Sequence, residues 1–138
     1  MNRYKARKQA FLLIFQYKFQ PECVKTLLAD FLEENDVGEA KGYIESTVLG
    51  ALEHIEDVDN LIERFSDGWT LDRISSVSLA AMRIGIFEIV YSEDVPPPVA
   101  VNEAVSLAKE FEGEEAVPFV NGILGKIKDE IGKRGQND

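Results

Sequence analysis

The sequence predicts an all-helical fold in which two helical sub-bundles, approximately residues 1–66 and 67–138, make one domain. Three observations carry this expectation. Apolar residues recur at helical spacing along almost the whole chain, and no segment alternates at period two as a half-buried strand would. A length of 138 residues, 45% of them hydrophobic, is enough for one core without disulfides or a metal. The breaker Ser66-Asp67-Gly68 interrupts the helical pattern near its middle.

The first helix is expected over residues 3–19, ended by Gln20 and Pro21. Ala6, Ala10, Leu13, Ile14 and Tyr17 share a face, and Phe11, Leu12 and Phe15 widen it. A second helix over 24–34 turns Leu27, Leu28, Phe31 and Leu32 inward. A third over 39–55 carries Tyr43, Ile44, Thr47, Val48 and Ala51, and a short fourth over 58–65 carries Leu61, Ile62 and Phe65. Trp69 and residues 71–74 read as one turn. Ser75 or Ser76 caps the next helix, which runs to about Tyr91 and is apolar on most sides, the signature of a central helix. Gly85 sits in its middle at a cost of about 1 kcal/mol against alanine, which close approach of another helix would offset. Pro96-Pro97-Pro98 sets up a helix over 99–111 with Val101, Ala104, Val105 and Ala108 inward. Pro118 suits the first turn of the last helix, whose stripe is Val120, Ile123, Leu124, Ile127 and Ile131. A polar tail follows from Gly132.

The net charge of −10 argues against a polyanionic partner, but the charge is unevenly placed. Residues 1–25 hold Arg3, Lys5, Arg7, Lys8, Lys18 and Lys25 against Glu22 alone, a net +5, so the remainder holds −15. A basic end on an acidic body can focus a polyanion, although a solvated helix end reads the same way. The basic start followed by AFLLIF imitates a signal peptide, but the apolar run stops at Gln16 with no small-residue cleavage site. No run approaches the roughly 20 residues that span a bilayer. Cys23, the single cysteine, excludes an internal disulfide and fits a reducing, cytoplasmic setting.

Catalysis finds little to rest on. His54 is the only histidine. Glu53, His54 and Asp57 have partial metal-ligand spacing, yet an acidic helix face is more often merely solvated. There is no phosphate-cradling glycine loop and no nucleophile elbow. The expectation is a protein that is not an enzyme and has no metal and no cofactor.

Three stretches resemble the NusB family of transcription antitermination factors. They are RYKARKQAF at residues 3–11 with IFQY at 14–17; GWTLDRI at 68–74 with AMRIGIFEI at 81–89; and PVAVNEAVSLAK at 98–109 with FVNGIL at 119–124. The last pair is the most specific in order and spacing. The resemblance implies a fold of two perpendicular helical sub-bundles. It implies binding to boxA-type RNA of ribosomal RNA leaders, a heterodimer with NusE, the small-subunit ribosomal protein, and joining of the RNA polymerase elongation complex. A homodimer is compatible with it, and no membrane role is implied.

On the family pattern the RNA surface is the basic helix start and the loop before the last helix, here Arg3, Lys5, Arg7 and Lys8 with Glu115 and Phe119. Tyr4 interrupts the basic run, Phe15 stands where a tyrosine is common, and Glu112, Glu114 and Glu115 crowd the second loop. Weak RNA binding without the partner is therefore expected. If about three phosphates are neutralised, log affinity should fall with log salt at a slope near −2. Phe119 either stacks on an unpaired base or packs on Ile123 in the core. Asn102 and Asn121 read as buried residues tying helices together. Arg83 and Glu88, in an apolar helix, are either internal ion pairs or partner surface, and Glu88, Tyr91 and Glu93 form the expected patch for NusE. Two other readings compete: a NusB-like domain separated from a ribosomal RNA methyltransferase, although no cofactor domain follows Asp138, and a self-associating structural helical protein.

Overall fold

The computed structural model describes residues 1–131, and the tail expected from Gly132 lies outside them. Among the described residues seven α-helices and four short 3-10 turns occur, with no strand. The helices are α1 (Arg3–Gln16), α2 (Val24–Glu34), α3 (Lys41–Glu53), α4 (Ile55–Phe65), α5 (Ser76–Val90), α6 (Pro97–Phe111) and α7 (Val117–Glu130).

Local chemistry sets the boundaries. The Asn2 side chain accepts from the Lys5 backbone N–H at 2.8 Å and caps α1. Ser75 caps α5 by accepting from the Ser78 N–H at 3.1 Å. α1 stops at Gln16, three residues earlier than its periodicity suggests, because the chain tightens into a turn there: the Phe19 N–H bonds back to the Gln16 carbonyl at 3.0 Å. His54, at φ −103° and ψ 18°, ends α3 and begins α4, so α4 starts three residues earlier than expected.

α5 is the axis of the molecule. It packs against α1, α3, α4, α6 and α7, and twelve of its fifteen residues are buried. Neither water nor a polar face is left to such a helix, which explains its nearly continuous apolar sequence. Gly85 is where two neighbours close on it. A Cβ there would lie 2.9 Å from the Ala104 Cβ on α6 and 2.9 Å from the Leu124 Cδ1 on α7. The mid-helix glycine therefore admits two helices at once. α1 lies across α3 and α5, and α6 and α7 close the other side of α5. Phe11, Ile14, Ile44, Ile62, Met82, Ile84, Ile89, Leu124 and Ile127 are fully buried in one continuous core.

Asn102 and Asn121 are exposed, not buried as expected. Each follows a core residue, Val101 and Val120, by one position, and a helical step of one turns the side chain away from the core.

Candidate nucleic-acid interface

The four cations at the start of α1 separate into different environments. Arg7 falls between the core positions Ala6 and Ala10 and is only 4% exposed. Its Nε and Nη2 donate to the two carboxylate oxygens of Glu88 on α5 at 2.8 and 3.1 Å, and its Nη1 lies 3.5 Å from Glu103 on α6. The Tyr43 hydroxyl on α3 donates to the same Glu88 carboxylate at 2.9 Å. Burial works against the charged guanidinium, but the hydrogen bonds and charge of Glu88 outweigh it and hold Arg7 above its ordinary value. Burial, and then the charge of Glu88, push the Tyr43 phenol well up.

This cluster corrects two expectations. Arg7 does not reach solvent, so it is not a direct contact for phosphate. Glu88 is 1% exposed and is the internal ion-pair partner, not a surface for NusE. A buried charge needs an opposite charge close by, and each supplies the other's. Arg83 is likewise internal, donating to both Asp59 oxygens at 2.9 Å.

The other cations lie outside. Lys8 is partly buried and pairs with Glu110 at 2.7 Å, and the Tyr4 hydroxyl donates to the same carboxylate at 2.5 Å. The Lys8 hydrogen bond, then that of Tyr4, hold Glu110 below the usual carboxylate range, and Glu110 in turn holds Lys8 up. Lys5 is exposed and, among the described residues, takes part in no ion pair. Arg3 is exposed and turns the other way, its guanidinium stacked 4.2 Å above the Tyr43 ring.

The loop between α6 and α7 builds a second surface. Gly113, at φ 135°, makes the turn after α6, a conformation that side chains disfavour. Glu112 accepts from the hydroxyls of Ser75 and Ser78 (3.0 Å for Ser78), which pins the loop to the start of α5. Phe119 packs partly on the core and meets Trp69 edge-on, with ring centroids 5.9 Å apart. One part of Phe119 packs, and another lines the surface. Trp69 is 49% exposed. The buried Ser66 hydroxyl donates to the Trp69 carbonyl at 2.8 Å and fixes the turn that presents it. Trp69, Arg73, Glu115 and Phe119 line one cleft of about 140 Å³. Glu115 is exposed at its rim.

Tyr91 and Glu93 line a third feature, a groove of about 470 Å³ between α3 and the end of α5. The Tyr91 ring stacks on His54, with centroids 3.8 Å apart and planes 8° from parallel. Glu93 is exposed. His54 therefore belongs to a packed aromatic pair. Among the described residues no group of three His, Cys, Asp or Glu side chains is placed to hold a metal ion. No helix among them is long and apolar enough to cross a membrane.

Sequence reasoning gave Trp69, Arg73 and Tyr43 no role at the site. The signal for Trp69 was present: a tryptophan beside a Gly-containing break, with no apolar stripe to join. Tyr43 reads as core from its spacing, and only its contact with side chains of two other helices, α1 and α5, reveals more.

The fold and these surfaces define a helical-bundle protein with an aromatic, partly basic face beside an acidic body. Known proteins fill in the kind. The model of the NusB family matches residues 4–129. A transcription antitermination protein NusB from a Thermoanaerobacter species is 39% identical over 139 residues, covering 100% of this chain and 99% of that protein. Another from Acetivibrio thermocellus is 43% identical over 128 residues, covering 92% and 88%. The structure of T. maritima NusB superposes with a TM-score of 0.86 at 30% identity, covering 94% of this chain and 92% of that one. A structure of the antitermination factors NusB and NusE in complex with dsRNA gives a TM-score of 0.77 at 29% identity, covering 94% and 98%. The chain belongs to the NusB family.

Proposed function

We propose that this chain is an RNA-binding transcription antitermination factor that pairs with NusE on boxA-type RNA and joins the RNA polymerase elongation complex. It works in the cytoplasm as a non-catalytic adaptor without a cofactor. The observation that carries this reading is the near full-length likeness to a NusB seen with NusE and RNA, at a TM-score of 0.77.

The geometry supports a division of labour. Trp69 and Phe119 offer faces on which unpaired bases stack, worth about 1–3 kcal/mol per base. Arg73 and Lys5 supply charge for phosphates, while Lys8 is held by Glu110. Glu115 at the cleft rim accepts from a base amino group, in keeping with RNA recognition through splayed bases. Tyr91 and Glu93 face the basic partner. Arg7 and Glu88 act from inside, by fixing α1 on α5.

Trp69 is the only tryptophan, so its fluorescence is a direct reporter. Titrating the NusE complex with a boxA oligonucleotide should quench it, and Trp69→Ala should weaken binding by about 1–3 kcal/mol. Unquenched emission at saturating RNA would move the RNA surface elsewhere.

A further inference from the structure

We propose that the Trp69–Phe119 pair is a wedge between two consecutive unpaired bases of the RNA, and that the cleft on its α7 side is a second base site built from Gly122, Lys126 and Asp67. The inference rests on the stacking role of Trp69 proposed above and adds a second nucleotide to it.

Two clefts share the pair. The one already described opens toward Arg73 and Glu115. The other, of about 210 Å³, opens toward α7, where Trp69 and Phe119 meet Asp67, Pro118, Gly122 and Lys126. The two rings meet edge-on, 66° apart in plane, which leaves more ring face open than a parallel stack would.

Gly122 is an independent sign. It sits exposed inside α7, where glycine weakens a helix relative to alanine. Gly85 has two close neighbours to explain it, but at Gly122 a Cβ would meet nothing within 4 Å. Packing therefore gives no reason for a glycine there. Gly122 lies one turn beyond Phe119, on the wall of this cleft, and its bare backbone lets a flat ring approach α7 closely.

Lys126 stands one turn further along the same face, 3.8 Å from Asp67, with both side chains largely exposed. Such a pair adds little to the fold. It does set an ammonium donor beside carboxylate acceptors at the cleft, and an unpaired base is read through the donors and acceptors of its edge. Asp67 already balances the charge of Lys126, so this lysine reads the base and not the phosphate. The turn carrying Asp67 is fixed, since the Ser66 hydroxyl donates to the Trp69 carbonyl at 2.8 Å.

Trp69 fluorescence of the NusE complex, titrated with boxA oligonucleotides that each carry one abasic position, tests this. Base loss at two adjacent positions should reduce the quenching, and each loss should weaken binding by about five- to a hundredfold, the worth of one base–aromatic stack. Gly122→Leu fills the second cleft. It should weaken binding by about fivefold or more and make one of the two positions indifferent to base loss. Its thermal melting should be unchanged or raised, because leucine is the better helix former at an exposed site. Lys126→Met should weaken binding by about threefold or more, the loss of one hydrogen bond, at an unchanged salt slope. A single sensitive position, both positions still sensitive in Gly122→Leu, or a lower melting temperature in that variant overturns the second base site and leaves the Trp69 stack in place. Unchanged affinity or a shallower slope in Lys126→Met does the same. If the intact oligonucleotide does not quench Trp69, the stack itself fails and the second site falls with it.

Discussion

Arg7 and Glu88, 81 residues apart in sequence, meet through two parallel hydrogen bonds that tie the start of α1 to the end of α5. The pair is buried on both sides, so it is a constraint on the fold before it is anything else. Arg7→Met should cost about 3–5 kcal/mol in urea unfolding, because it strands a buried carboxylate. Arg7→Met with Glu88→Gln should recover at least half of that loss, since the glutamine is neutral and still accepts from Tyr43. A single variant as stable as the wild type would mean that Glu88 finds water.

Gly85 yields the opposite of what helix propensity says. Alanine is the better helix former by about 1 kcal/mol. Gly85→Ala should nonetheless destabilise by about 1–3 kcal/mol, because its Cβ meets two neighbours at 2.9 Å. Leu124→Ala, at a fully buried site, should cost about 2–5 kcal/mol. The two together should cost less than their sum, as the missing leucine makes room for the new methyl. Strict additivity in thermal or urea unfolding would count against the close approach of α7.

The Lys8–Glu110 pair has a readable pH dependence. Glu110 titrates below its ordinary value of 4.5 in the folded chain, first through Lys8 and then through Tyr4. A depressed carboxylate stabilises the fold above its unfolded pKa and loses that effect as pH falls through the folded one. The contribution should therefore be complete at neutral pH and vanish below the ordinary glutamate range. Carboxyl NMR titration should place Glu110 lower than exposed glutamates, and Lys8→Met should return it upward. An unmoved titration in that variant would exclude the pair.

Burial of Arg7 and pairing of Lys8 change the expected electrostatics of RNA binding. With these two withheld and Arg3 on Tyr43, the start of α1 offers about one phosphate contact and Arg73 a second, so the free chain's salt slope should be near −1.4 instead of −2. Glu110→Gln should free Lys8 and steepen the slope by about 0.7. A wild-type slope near −2 would mean that Lys8 leaves Glu110 when RNA binds.

How much of this was legible in the sequence differs between fold and site. Seven helices follow from spacing alone, and the apolar completeness of residues 76–90 marks α5 as central without any structure. Gly85 also announced a close neighbour, though not that two helices share it. The charged residues misled. Arg7 looks like part of a basic end because Lys5 and Lys8 adjoin it, yet it lies one step from Ala6 and one turn from Ala10, on the buried side of α1. Its partner is 81 residues away, and a pairing across that separation leaves no periodic trace. A second clue was available: Glu88 stands in an otherwise apolar helix, and one buried charge demands another of opposite sign. Asn102 and Asn121 erred in the reverse direction, since a polar residue next to a core position is turned outward by the helical step.

The span between Arg7 and Glu88 also bears on how the chain is made. On the ribosome α1 is finished long before α5 has been translated. Until residue 88 leaves the exit tunnel, Arg7 has no carboxylate to enter the interior with, and water is the better host for its charge. α2 and α3 are there for α1 to meet, but α5, the other helix it lies on, is not. The N-terminal half of the nascent chain must therefore wait, its aromatic face uncovered, for a helix from the second half, and folding is completed late in synthesis instead of proceeding from the first residue onward.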